Sequence, residues 1–259
     1  MKAEVYDNKR LQGDYFRIRF KAPEIAEKSM PGQFVHVRID QRDDRILRRP
    51  FSIHNAENGL LTVVYKVVGH GTRRMSALLP GDKCDILGPL GQGFTAPPAG
   101  HIPVAVCGGY GSAATFMLTK ISDTPGVLLL GARSDIDVIL TDVYAEKGYD
   151  VRVATDDGTM GHKGRVTELI PRLIAENPGK KFFFYGCGPH PMLMALATML
   201  RELKLDGELS IDQLMCCGVG ACFACVIKVN DPGSADGWRY ARSCSEGPVF
   251  PLDDVYLGE

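Results

Sequence analysis

Four of the chain's eight cysteines fall in the stretch Met215-Cys216-Cys217-Gly218-Val219-Gly220-Ala221-Cys222-Phe223-Ala224-Cys225. Cysteines clustered in this way can form disulfides, hold a metal, act as nucleophiles or carry an electron-transfer centre. Cys217, Cys222 and Cys225 read C-x4-C-x2-C, and eighteen residues separate Cys225 from Cys244. That is the plant-type spacing for four thiolates around a [2Fe-2S] cluster. A loop that supplies three ligands must wrap closely around an inorganic core. Gly218 and Gly220 permit the tight turns, and the small Ala221 and Ala224 suit the crowding. Zinc is the main rival, but structural zinc sites pair two short cysteine knuckles and only one is present. The other rival is a set of unrelated buried thiols. Cys216 would give C-x5-C if it replaced Cys217, but it reads more simply as a small buried side chain beside the ligand. Cys84, Cys107 and Cys187 stand alone, where a free buried cysteine is common. Of these, only Cys187, at the end of an apolar run, has a functional alternative.

Three further groups of residues suggest nucleotide chemistry. Arg48-Arg49-Pro50-Phe51-Ser52-Ile53 is followed some twenty residues later by Gly69-His70-Gly71-Thr72. Arg49 can make charge-assisted bonds to a pyrophosphate. Phe51 offers a flavin ring an aromatic face, Ser52 a hydroxyl, and Gly71 and Thr72 backbone amides for phosphate. The plainer reading is a basic strand edge and an ordinary turn. Cys107-Gly108-Gly109-Tyr110-Gly111-Ser112 follows an apolar run and precedes a helical one, where a glycine turn exposes helix N-terminal amides to phosphate. It is not a full G-x-G-x-x-G, and a tight strand-to-helix turn would explain it too. Gly186-Cys187-Gly188-Pro189 ends the last strand of this type, while Asp156-Asp157-Gly158 ends another and reads most simply as a polar turn.

The elements that must position these residues change along the chain. From Glu4 to about Gly93, runs such as YFRIRF, FVHVRI and LTVVYKVV alternate polar and apolar residues between Gly, Pro and Asp turns. This predicts half-buried antiparallel strands in a small barrel. Thr95 to Pro103, TAPPAGHIP, interrupts any ladder and marks a boundary. Beyond it, continuous apolar runs (IPVAVCGG, GVLLLGA, KFFFYGCG) alternate with helical stretches (SAATFMLTKI, VTELIPRLIAE, PMLMALATMLREL). This predicts a parallel sheet covered by helices. The last fifty residues are rich in Cys and Gly, and as a module too small for a strong core they require a cofactor to organise them. The expected division is 1–97, 98–208 and 209–259, an α+β multidomain chain. With 45% hydrophobic residues and a formal charge of −1, neither disorder nor affinity for nucleic acid or an anionic membrane is indicated. The charged N-terminus lacks a signal-peptide core and no run reaches the length of a membrane span, so a soluble cytoplasmic protein is expected. In that reducing compartment clustered cysteines favour metal or redox roles over disulfides.

Together RPFS, VYK at Val64 to Lys66, GHGT, DILGPLGQGF, GARS at Gly131 to Ser134, ATDDG, YGCGPHPM, MCCGVGACFAC and CSEGPVF occur in the order found in one family. Over nearly its whole length the chain resembles the electron-transfer subunit of the NAD-dependent, two-subunit dihydroorotate dehydrogenase, within the ferredoxin-reductase superfamily. The resemblance implies an antiparallel flavin-binding β-barrel, an α/β parallel-sheet NAD-binding domain and a small C-terminal [2Fe-2S] module. It implies FAD contacts at Arg49, Pro50, Phe51, Ser52, Val64, Tyr65, Lys66, Gly71 and Thr72, and cluster ligation by Cys217, Cys222, Cys225 and Cys244. NAD is expected at Gly108, Gly109 and Gly111, with Cys187 positioning the nicotinamide. The glycine turn departs from the family's usual GGGIGVAP at Cys107, Tyr110 and Ala114, which leaves NAD or NADP preference open. The implied activity, part of pyrimidine biosynthesis, carries electrons from the FMN of a separate catalytic subunit through the cluster and FAD to NAD+. A heterotetramer of two such subunits and two catalytic ones is expected. The alternatives are a ferredoxin:NAD(P)H reductase or the reductase subunit of another dehydrogenase, and a non-catalytic iron-sulfur sensor.

Overall fold

Alternation in the N-terminal part produces strands with one buried face. In the computed structural model, which describes residues 1–39 and 47–258, β1 (Lys2–Arg10) and β2 (Tyr15–Lys21) pair antiparallel. Tyr15, Ile18 and Phe20 of β2 are buried while Arg17 and Arg19 stay partly exposed, and both arginines pair with Asp7 of β1. A short helix α1 (Pro23–Lys28) begins on a proline, which the first turn tolerates. Then come β3 (Phe34–Arg38), β4 (Arg49–Ser52), β5 (Asn55–Glu57), β6 (Leu60–Lys66), a second short helix α2 (His70–Ser76) and β7 (Lys83–Leu90). The seven strands form one antiparallel sheet in the order β4-β3-β7-β1-β2-β6-β5, curled so that β4 also touches β6. Its core holds Val5, Ile18, Phe20, Val35, Val37, Leu61, Val63 and Ile86.

The continuous apolar runs build a second sheet. Its elements are β8 (His101–Gly108), α3 (Gly111–Thr115), β9 (Val127–Ala132), α4 (Thr141–Ala145), β10 (Asp150–Thr155), β11 (His162–Lys163), α5 (Leu169–Glu176), β12 (Lys181–Cys187), α6 (His190–Glu202) and β13 (Asp206–Ser210). A hairpin of β14 (Val226–Asn230) and β15 (Trp238–Arg242) follows, then β16 (Val249–Pro251). The sheet runs β11-β10-β9-β8-β12-β13-β16, parallel except for β16. The chain leaves β8 toward β9 and later returns to β8's other side as β12. The topological switch point therefore lies between β8 and β12, where ligands bind beyond the carboxyl ends of the strands. Among the described residues, no helix is long and apolar enough to cross a membrane.

Two local expectations change. The stretch SAATFMLTKI is helical, but α3 tightens after Thr115 into a 3₁₀ turn at Phe116–Lys120. Thr115 donates its hydroxyl hydrogen to the Gly111 carbonyl at 3.2 Å, and Tyr144 donates to that of Ser112 at 2.9 Å, so side chains occupy acceptors of this turn. The C-terminal segment is not organised by a cofactor alone. Val229, Ala241, Phe250, Leu252 and Val255 join the apolar core of the second sheet with Val104, Phe184 and Leu209. β16 extends that sheet on β13. The segment borrows a core that its own length could not provide.

Candidate functional site

A cleft of about 1150 Å³ lies between the two sheets. Arg49, Pro50, Phe51 and Ser52 of β4, Val64, Tyr65 and Lys66 of β6, and Gly71 and Thr72 at the start of α2 line one wall. Gly108 at the end of β8, Gly109 and Gly111 at the start of α3, and Cys187 at the end of β12 line the other. Its size exceeds the usual small-ligand pocket and suits extended cofactors. On the first wall the Phe51 and Tyr65 rings meet edge to face, 6.0 Å between centroids. Gly71 lies directly under Arg49, since a side chain there would strike the guanidinium. The arginine and the first turn of α2 thus present positive charge and backbone to the same place, the chemistry a pyrophosphate needs.

Lys66 is tied across the cleft. Its ammonium donates to the Asp137 carboxylate at 2.7 Å, and the Tyr15 hydroxyl donates to the same oxygen at 2.7 Å. The lysine bond, then the tyrosine bond, outweigh burial and hold the Asp137 carboxyl below its ordinary range, while burial and that carboxylate push Tyr15 up. Asp137 follows β9 in the loop before α4, and it was not among the expected site residues. Its place beyond the carboxyl end of a parallel strand is the signal that could have found it.

On the nucleotide wall Cys107 of β8 and Cys187 of β12 are direct neighbours in the ladder. A side chain at Gly111 would collide with the Cys187 carbonyl, so glycine here sets how closely α3 approaches β12. Gly109 has a φ of +54° and nothing within 4 Å of where a Cβ would stand, leaving the backbone open to a ligand. Burial pushes the Cys107 thiol up to about 12, and it shares a 3.1 Å hydrogen bond with Thr115. Burial, helped by Cys107 and Asp212, also raises the Cys187 thiol, which therefore stays protonated and can pack against a ring but not attack one. Asp156, Tyr110 and Asp212 line the same cleft, and burial raises the Asp212 carboxyl. Tyr110 lies inside the glycine turn, and Asp212 stands just past β13, again at strand carboxyl ends.

The cysteine loop begins at the edge of this cleft, at Met215. Gly218 and Gly220 take φ values of +72° and +79°, which a side chain would strain. Turned this way, the loop aims the Gly220 amide at the Cys244 sulfur, 3.1 Å, and the Val219 amide at that of Cys217, 3.5 Å. The thiols lie as two neighbouring pairs, Cys217 beside Cys222 and Cys225 beside Cys244. The Val219 amide, with smaller help from Cys222 and Ala221, lowers the Cys217 thiol to about 6, whereas burial raises Cys244 to about 11. Among the described residues, no three His, Cys, Asp or Glu side chains converge as one metal ion requires. Two pairs of thiols with amides aimed at sulfur fit a two-iron core better than a zinc ion. Cys225 and Cys244 pack with Met215, and with Phe34 and Leu90 of the first sheet, so the loop is seated on the flavin side of the molecule.

These features define the ferredoxin-reductase class: a curled antiparallel sheet, a nucleotide-binding parallel sheet, a shared cleft and, here, an appended four-cysteine loop. A solved structure described as an NADH-dependent reduced ferredoxin-NADP oxidoreductase matches 98% of this chain and 90% of its own, with a TM-score of 0.84 and 27% identity. The fold is also that of a ferredoxin NADP+ reductase from Neisseria gonorrhoeae, at a TM-score of 0.63 and 18% identity over 78% of this chain and 90% of that one. Residues 212–256 match the family model described as the iron-sulfur cluster binding domain of dihydroorotate dehydrogenase B. Proteins named dihydroorotate dehydrogenase B (NAD(+)), electron transfer subunit, are 39% identical in Desulforamulus reducens, over 91% of this chain and 90% of the relative, and 40% identical in Bacillus caldolyticus, over 90% and 89%. The chain belongs to the family of dihydroorotate dehydrogenase B electron transfer subunits.

Proposed function

We propose that this chain carries electrons between an FMN-containing dihydroorotate dehydrogenase catalytic subunit and NAD+, in pyrimidine biosynthesis, with FAD and a [2Fe-2S] cluster as its own cofactors. The observation that carries this reading is the cleft: flavin-strand residues, the glycine turn and the first residue of the cysteine loop border one continuous space. Bound there, FAD exchanges two electrons with a nicotinamide and one at a time with an iron-sulfur centre, a conversion that the side chains cannot perform themselves. Arg49, Gly71 and Thr72 hold its phosphates, while Pro50, Phe51, Ser52 and Val64 to Lys66 hold the ring end. Gly108, Gly109 and Gly111 admit the nucleotide phosphates, and the protonated Cys187 packs against the nicotinamide and orients it. Cys217, Cys222, Cys225 and Cys244 ligate the cluster. Functionally the chain divides into flavin (1–97), nucleotide (98–208) and cluster (209–259) segments. The free thiols suit the reducing cytoplasm.

Around the cysteine loop Leu214, Val219 and Phe223 are 82%, 52% and 60% exposed, an apolar rim of the kind a partner protein covers. The catalytic subunit docks there, in an assembly of two plus two. Reconstitution tests the reading. Dihydroorotate-dependent NADH formation is expected only when the chain is mixed with the catalytic subunit from the same source, and NADH formation by that subunit alone would contradict it. The likeness to the ferredoxin-NADP oxidoreductase structure supports a second reading, the same wiring serving another partner. Reduction of a ferredoxin, together with no response to dihydroorotate, would favour that reading.

A further inference from the structure

His36 lies in β3, opposite Pro50 of the flavin strand β4 and Leu87 of β7. Its side chain is completely buried, and neither ring nitrogen has a hydrogen-bond partner among the described residues. A buried imidazole without partners is destabilising, and native structures rarely keep one. The ring lies against the cysteine loop. A methyl group on Gly218 would stand 2.7 Å from Cε1 and 2.9 Å from each nitrogen. Phe34, two residues earlier on the same face of β3, meets the His36 ring edge at 5.7 Å and packs with Cys225, Cys244 and Met215. Burial and the nearby Arg48 disfavour a charged ring, so one nitrogen carries a proton and the other does not.

We propose that His36 donates its ring N–H to the cluster, at an inorganic sulfide or a ligand cysteine sulfur, and thereby sets the cluster's potential from the flavin side. This rests on the cluster assignment above. Donors to cluster sulfurs favour the more negative, reduced form and raise the potential. His36 is then a tuning residue rather than a ligand, and that donor role accounts for a polar ring in a buried position of β3.

The test is an EPR-monitored redox titration of the full chain and of His36→Leu and His36→Asn. We expect the leucine variant to keep its iron and flavin while cluster reduction becomes about tenfold less favourable, a fall of about 59 mV. Asparagine, which restores an N–H donor, should recover most of the shift. A leucine variant at the wild-type potential, or an asparagine variant no nearer wild type than leucine, overturns the proposal. If leucine costs the cluster itself, the wild-type chain labelled with 15N-histidine decides: a weak 15N hyperfine coupling to the reduced cluster is expected, and its absence overturns the assignment. A wild-type chain without iron or broad visible absorption would remove the cluster reading first, before any variant is compared.

Discussion

Cys216 and Cys217 are adjacent in sequence, but their surroundings treat them differently. Cys217 receives the Val219 amide, and chiefly for that reason its thiol is lowered to about 6. A thiol so prepared binds iron readily. Cys217→Ser should lose most of its iron and inorganic sulfide, whereas Cys216→Ser should retain both, as iron analysis and visible spectra would show. Equal retention by the two would overturn the ligand assignment, and loss in Cys216→Ser alone would reverse it. Cys187 poses a different question, because its raised thiol leaves shape as its contribution. Cys187→Ala should slow NADH oxidation about tenfold through a misplaced nicotinamide without loss of bound FAD, and unchanged turnover would refute the positioning role. The cysteine loop stood out in the sequence because the spacing of Cys217, Cys222 and Cys225 is local. His36 did not, since the contact that singles it out is with Gly218, far along the chain, and nothing in FVHVRI distinguishes a buried histidine from an exposed one.

Strands and helices bring distant residues into one cleft through a few close contacts. The approach of α3 to β12 depends on Gly111, where any side chain meets the Cys187 carbonyl. Gly111→Ala should cost about 1–3 kcal/mol of stability and weaken NADH binding more than FAD binding, which denaturant melts and flavin content can separate. The bond from Lys66 of β6 to Asp137 ties the first sheet to the loop after β9. The Asp137 carboxyl is lowered from its ordinary value of 3.8 in the folded chain. Its contribution is therefore present above that value and is lost as pH falls through it toward the folded one. Asp137→Asn should cost about 1 kcal/mol at pH 7 and flatten the acid limb of the stability profile below pH 4, whereas an unchanged limb would assign the acid sensitivity elsewhere. Alternation and apolar runs announced both sheets. The Asp137 and Asp212 carboxylates at the strand ends stayed hidden because the ring of loops around a parallel sheet is assembled only once the strand order is known. The tightening of α3 was hidden too, because it depends on Tyr144 reaching Ser112 from another element.

As a whole the molecule is arranged as a path. The nucleotide turn and flavin strands share a cleft, the cysteine loop begins at its edge, and around the loop lies an exposed apolar rim. Phe223→Asp combined with Leu214→Asp should weaken association with the catalytic subunit at least about tenfold while leaving the chain's own NADH oxidation intact. Unchanged association in size-exclusion or titration experiments would move the interface elsewhere. The changes in composition along the chain marked the two sheets and the cysteine-rich end, but the C-terminal segment's dependence on the second sheet's core was invisible, because Val229, Phe250 and Val255 look in sequence like isolated hydrophobics. The most direct measurement is an anaerobic absorbance titration of the purified chain with NADH. Bleaching of the flavin band, followed by loss of the broader cluster absorption, is the predicted result. A chain that holds both cofactors and yet does not respond to NADH would contradict electron exchange with the nicotinamide and leave a sensing role in its place.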